Sequence, residues 1–213
     1  MKTHTFKEWD LDKLEDTFGL TQVWESNLMT EWQTKSIEIE QADQVILLRL
    51  QKSLIRGGRS WNEVELENKF ISPLIMLADI DDDQIAYFLE RPLTHILGDY
   101  QLSGIVDGMI ATGVRNPHQP YFCLHEYKRS IENQGTPDGQ VLVAMLVARE
   151  LNKNKMPIYG LFVVGLVWNF IILKGNEYCI SNAYVADNKA IFSIFKMIKA
   201  LKKIIEAELN KST

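Results

Sequence analysis

Apolar residues recur at helical spacing over residues 7–18 and again over residues 39–55, where "VILLRLQKSLI" carries the stripe. Gly57 and Gly58 end the second of these helices. Ser60, with Glu63 three positions later, forms a capping-box pattern that opens a further helix through "WNEVELENKFISPLIMLAD". The first 78 residues are thus expected to be helical. From Pro92 the texture changes to short β-rich runs, which predict strands at 94–97, 101–111 and 121–128 with loops at "TGVRNPHQP" and "SIENQGTPDG". Unbroken "VLVAMLVA" predicts a helix over 139–151 that is buried on most sides. Two strands follow within 156–173, then a short one around Tyr178, and an amphipathic helix over 188–209 closes the chain. This order predicts an α/β sandwich with a central mixed sheet flanked by helices.

Residues 156–173 form 18 uncharged positions, just long enough to be read as a membrane-spanning helix. Pro157, Gly160, Gly165 and Asn169 within the run, and its wealth of Val, Ile and aromatic residues, favour two buried strands joined around Gly165. A chain of 213 residues, 46% hydrophobic, suits one sizeable core. We therefore expect a single domain, with a helical amino-terminal segment (1–58) leading into a core (59–213). Cys123 and Cys179 lie apart in apolar stretches, with no Cys or His at zinc-ligand spacing, so a reduced, cytoplasmic setting is expected. "MKTHTFKEWD" has no apolar leader or anchor segment. A net charge of −5 offers no general attraction to polyanions. Basic residues recur at Lys52, Arg56 and Arg59, at Lys128 and Arg129, and at Lys196, Lys199, Lys202 and Lys203, and those scattered along helices read as a solvated face.

The charges that stand out are those inside strand patterns. Alternation puts Phe122, Leu124, Glu126 and Lys128 on one face of their strand, and Cys123, His125 and Tyr127 on the other. Asp107 lies between Ile105 and Met109 on the preceding strand. In a hairpin, Asp107 approaches Glu126, with Lys128 at their edge. Two carboxylates and an ammonium in one pocket suit a divalent cation and an activated water. Glu63 continues the buried stripe of Leu66, Phe70, Leu74 and Leu77, and Glu67 is the second choice for a helical acid in that pocket.

Glu63, Asp107, the triplet Glu126-Tyr127-Lys128 and Gln140, in this order on these elements, resemble the PD-(D/E)XK nuclease superfamily, whose fold is restriction-endonuclease-like. "NEVELENKFISPL" is similar to the Glu-bearing helix of the amino-terminal nuclease domains of type I restriction enzymes. The run from "SWNEVELENKFISPL" to "PIYGLFVVGLVWNFIIL" resembles small, free-standing bacterial proteins of this superfamily with no assigned role. Val106 stands where the superfamily pattern has proline. The resemblance implies that Asp107, Glu126 and the main-chain carbonyl of Tyr127 hold Mg²⁺, with Mn²⁺ able to substitute. It also implies that Lys128 orients the attacking water, that Glu63 positions Lys128 or a second metal, and that Gln140 hydrogen-bonds near the nucleophile. The expected function is phosphodiester hydrolysis, first of all in DNA, by a protein without membrane attachment and able to work as a homodimer. The alternative is a non-catalytic protein of the same fold that serves as a binding or regulatory subunit.

Plainer readings cover the remaining candidates. "DIDDD" lacks the glycine and distal glutamate of a calcium loop and reads as a connector. His95, His118 and His125 read as structural or surface residues, and Trp168 and Phe170 as packing residues on a core strand.

Overall fold

The computed structural model describes residues 1–128 and 136–211; Arg129 and residues 130–135 of the expected loop lie outside the described residues. Strand β1 (Lys2–Thr5) is followed by helix α1 (Leu11–Phe18), whose first turn is capped by Asp10 accepting from the Lys13 N–H at 2.9 Å. Gly19, at φ 65°, closes α1 in the left-handed conformation. Then come β2 (Thr21–Gln22), α2 (Asn27–Thr34) and α3 (Gln41–Gly57). A 3₁₀ turn over Gly58–Ser60 leads to α4 (Glu63–Leu66), a π-helical turn over Glu67–Ile71, and α5 (Ser72–Leu77).

Two expectations need correction here. The first 78 residues are not helical throughout, because β1 and β2 join the sheet as short parallel strands beside Tyr100–Ser103 and Glu177–Tyr178. Four and two mostly polar residues carry no period-2 apolar pattern that could announce them. The capping box is formed by Asn62 and Glu65 rather than Ser60 and Glu63: the Asn62 side chain accepts from the Glu65 N–H at 2.8 Å, and the Glu65 carboxylate accepts from the Asn62 N–H at 3.1 Å.

Strand β3 (Ile85–Leu97) and β4 (Tyr100–Thr112) form a hairpin of 13 residues a side, so β3 begins nine residues before the expected strand at 94–97. Asp82 and Asp81 brace its entry, accepting from the N–H groups of Gln84 and Ile85 and of Tyr87, respectively. The connector reading of "DIDDD" agrees with these bonds. After β5 (His118–Lys128) comes α6 (Pro137–Asn152), buried from Gly139 to Ala148 on all sides. β6 (Ile158–Val164) and β7 (Val167–Lys174) pair antiparallel across Gly165, as expected for residues 156–173. β8 (Glu177–Ile180), β9 (Tyr184–Val185) and α7 (Ala190–Lys211) complete the described chain. Among the described residues, no helix is long and apolar enough to cross a membrane.

The main path of the sheet runs β1-β4-β5-β6-β7-β8-β2, with β3 along the other edge of β4. The β5–β6 pair is parallel and β3–β4, β4–β5 and β6–β7 are antiparallel, so the sheet is mixed. On one face α6 and α1 pack over Leu124, Met109 and Ile171; on the other, α2, α3, α5 and α7 pack over Cys123, Leu161, Phe170 and Ile172. The protein is therefore an α/β fold with a large mixed sheet flanked by helices.

Candidate active site

One edge of β4 is shared. Tyr100–Ser103 pair with β1, and Gly108–Thr112 pair with β5, so that, among the described residues, residues 104–107 have no strand partner on that side. Among the described residues the β4–β5 ladder stops at Gly108 opposite His125, and β5 continues to Lys128 paired with β6. The two strands part at this point and form a notch. Asp107 lies at its apex, where its Oδ2 accepts from the main-chain N–H of Tyr127 at 2.6 Å. In an extended strand the N–H and C=O of one residue point to the same edge. The Tyr127 carbonyl is therefore directed to the same side as the Asp107 carboxylate, while the Lys128 carbonyl, on the opposite edge, accepts from the Gly165 N–H.

Glu126 and Lys128 share a face of β5, as alternation predicts, and pair at 2.8 Å from Nζ to Oε1, each only 6% exposed. The same ammonium donates to Glu63 Oε1 at 3.2 Å, so the first residue of α4 reaches the end of a central strand. At the start of β5 the alternation breaks: a register irregularity between Ile110 and Thr112 puts Phe122 and Cys123 in the same core layer. Cys123, His125 and Tyr127 form the back of the site. His125 Nδ1 lies 2.7 Å from the Tyr127 hydroxyl, Cys123 Sγ lies 3.3 Å from Nε2, and the Tyr87 hydroxyl lies 3.0 Å from that of Tyr127. Burial lowers His125 to about 3, so its imidazole is neutral and belongs to a polar network within the core.

Burial dominates the electrostatics. It pushes Asp107 up to about 6, against the Tyr127 N–H and Lys128, which favour the charged form; Glu63 and Glu90 add to the rise. Burial and then repulsion from Asp107 raise Glu126 to about 7 despite its bond to Lys128. For Lys128 burial opposes the charge, but Glu126, Asp107 and Glu63 outweigh it and hold the ammonium above its ordinary range. Glu67 is raised by burial and by Asp107, Glu90 and Glu63. Of the two candidate helical acids, Glu63 is the one that pairs with Lys128.

Gln140 is buried near the start of α6, but among the described residues its amide forms no hydrogen bond to Asp107, Glu126 or Lys128. Glu90 is a member of the acidic group that sequence reasoning missed. It stands opposite Asp107 on β3, at φ 52°, and drops out of the ladder while the pairs on either side, Leu89–Gly108 and Arg91–Val106, keep one register. Among the described residues, no three His, Cys, Asp or Glu side chains are grouped closely enough to hold a metal by themselves. The oxygen donors at the notch are two carboxylates and a main-chain carbonyl. Such a hard, incomplete set suits an ion that keeps several waters.

Compared with protein-family models the chain gives no match, and compared with curated proteins it gives no significant similarity.

Proposed function

We propose that this protein is a metal-dependent nuclease of the PD-(D/E)XK type, with the restriction-endonuclease-like version of the α/β fold, hydrolysing phosphodiester bonds of DNA. The observation that carries this reading is the convergence on one buried ammonium: Lys128 Nζ meets Glu126 from its own strand at 2.8 Å and Glu63 from α4 at 3.2 Å, beside the notch that holds Asp107. A surface ion pair needs no such arrangement.

Asp107, Glu126 and the Tyr127 carbonyl are the residues that would hold Mg²⁺, with Mn²⁺ as a substitute; the bound ion would supply Lewis-acid stabilisation of phosphoryl charge. Burial raises both carboxyls above their ordinary range, with repulsion from Asp107 adding to the rise at Glu126 and from Glu63 and Glu90 adding to that at Asp107, and a bound cation would offset this. Lys128 orients a water for attack and donates to the charge that develops on phosphorus-bound oxygen. Glu63 fixes the direction of the Lys128 side chain. The network of Tyr87, Tyr127, His125 and Cys123 holds β5 from behind.

The test is incubation of the purified protein with single-stranded, double-stranded and branched DNA and with RNA, in Mn²⁺, Mg²⁺ or chelator. Cleavage in metal alone is expected, falling by roughly 10²-fold or more in Asp107→Ala, Glu126→Ala and Lys128→Ala, the scale at which positioned acid–base and electrostatic groups act. Equal cleavage by the wild type and all three variants would refute the assignment. The close Glu126–Lys128 bond favours a second reading, a non-catalytic binding subunit whose site is closed by its own ion pair. Calorimetric titration with Mn²⁺ separates the two, since binding that disappears in Asp107→Asn belongs only to the first.

A further inference from the structure

The helix that leads into the site carries a row of cations that the ion pairs of the fold leave unused. Arg49, Lys52 and Arg56 lie at i, i+3 and i+7 on α3, share one face and are exposed. With Ser53, Gly57, Trp61 and Lys69 they line an open groove of about 610 Å³ that contains no acidic residue. Among the described residues, none of the three forms a salt bridge. By contrast Lys199 on α7 is bound to Asp43, and Lys202 donates to the Asp79 carbonyl. Lys69, whose ammonium is paired with Glu65 just outside the lining, closes the groove from the π-helical turn, its Nζ 5.3 Å from the Trp61 ring centre. Gly57 makes the wall: a Cβ there would meet Trp61 Nε1 at 2.7 Å, so only glycine lets the indole lie against the end of α3.

We infer that this groove binds the phosphate backbone of the nucleic acid and delivers the strand to the notch. Arg49 and Arg56 are seven residues apart, about 10 Å along the helix axis. That length matches about three phosphates of one strand of a duplex, which repeat every ~3.4 Å along the axis. A repeating anion therefore fits the row better than a single phosphate group. Trp61 stands two residues before Glu63, so their Cα atoms lie within roughly 7 Å of each other, the span of two extended residues. The groove wall thus adjoins the residue that holds Lys128. A chain of net charge −5 needs such a local patch to hold a polyanion. The choice of nucleic acid as the polyanion rests on the nuclease reading, so binding and cleavage are read separately.

The probes are a fluorescein-labelled 30-base-pair DNA duplex and its single strand, titrated in chelator by anisotropy over 25 to 200 mM salt. The combined variant Arg49→Gln, Lys52→Gln, Arg56→Gln is expected to bind about 30-fold more weakly at low salt, with a log–log salt slope shallower by about 2 to 3. Lys189→Gln, Lys196→Gln, Lys203→Gln, an equal charge change on exposed positions elsewhere, is expected to stay within about threefold of wild type. Both triple variants should keep the wild-type unfolding midpoint. With Mn²⁺, the groove variant should lose cleavage of the polymer and retain hydrolysis of bis(p-nitrophenyl) phosphate, which is too small to span the groove. Equal weakening by the two triple variants, or no binding of either probe by wild type, overturns the groove. Groove-dependent binding without cleavage of any substrate overturns the nuclease reading and leaves the groove standing.

Discussion

Asp107→Asn removes one charge from the notch and leaves the side-chain oxygen that accepts from the Tyr127 N–H. An aspartate ordinarily titrates at 3.8, and burial pushes Asp107 to about 6. That difference corresponds to about 3 kcal/mol between the charged and neutral forms in the folded protein. Because the folded-state value lies above the ordinary one, the native protein binds this proton more tightly than the unfolded chain does. The stability due to protonation is full below about pH 4 and is lost as pH rises through 6; for Glu126, raised to about 7, the loss extends to pH 7. The substituted amide is neutral throughout this range. The variant should therefore match wild type near pH 4 and be more stable by about 2 to 3 kcal/mol at pH 8.

The assay is urea unfolding followed by far-UV circular dichroism at several pH values between 4 and 8, in chelator. A gap that does not change with pH, or a variant less stable than wild type at pH 8, would refute the electrostatic account. A second arm adds Mn²⁺. Binding to the native state alone stabilises it by about 2.7 kcal/mol at one hundred times the dissociation constant. Wild type should gain stability in this way and Asp107→Asn should not. Gaining activity-related metal binding at the expense of metal-free stability is the behaviour expected of a site whose charges repel each other until a cation enters.

Two further perturbations examine the supports of the site. Lys128→Met leaves Glu126 buried without its partner and should cost roughly 3 to 5 kcal/mol at pH 8, with a smaller cost at pH 5, where Glu126 takes up a proton; urea unfolding at the two pH values checks this, and an equal loss at both would contradict it. Gly139→Ala would put a Cβ 2.5 Å from the Trp9 carbonyl oxygen and 2.6 Å from the Asp10 Cα, both main-chain atoms. It should lower stability by about 1 to 3 kcal/mol, read as a drop in thermal midpoint, and an unchanged midpoint would show that the amino-terminal turn does not depend on close contact with α6.

Those parts of the fold that bury a face were legible in the sequence. The continuous apolar run of α6, the two strands around Gly165 and the alternation that brings Glu126 beside Lys128 all follow from periodicity, and all lie in the middle of the sheet or against it. Legibility fails at edges and caps. β1 and β2 are short, largely polar and peripheral, so main-chain pairing places them without an apolar pattern. Ser60/Glu63 and Asn62/Glu65 have the same spacing and read equally well as capping boxes. What selects the second is Trp61: its ring packs against Gly57, its own backbone is extended (φ −69°, ψ 142°), and the helix cannot begin before it.

Glu90 was hidden for a different reason, and the signal for it was present. Pro92 and the charged pair Glu90-Arg91 argue against a central strand, yet among the described residues β3 is an edge strand paired with β4, and proline is tolerated there. Gly98-Asp99 is a two-residue hairpin loop, and Gly98 adopts φ 57° as such turns require. A two-residue loop fixes register, because Leu97 must face Tyr100 and each step back along β3 matches a step forward along β4. Counting seven residues back from Leu97 and seven forward from Tyr100 puts Glu90 opposite Asp107. A carboxylate whose cross-strand neighbour is another carboxylate cannot stay in a regular ladder cheaply. Glu90 is the residue that leaves the ladder here, in the left-handed conformation. Burial raises Asp107 first of all and Glu90 adds to it; hairpin register, rather than composition or motif, is the route by which a sequence reader could have found Glu90.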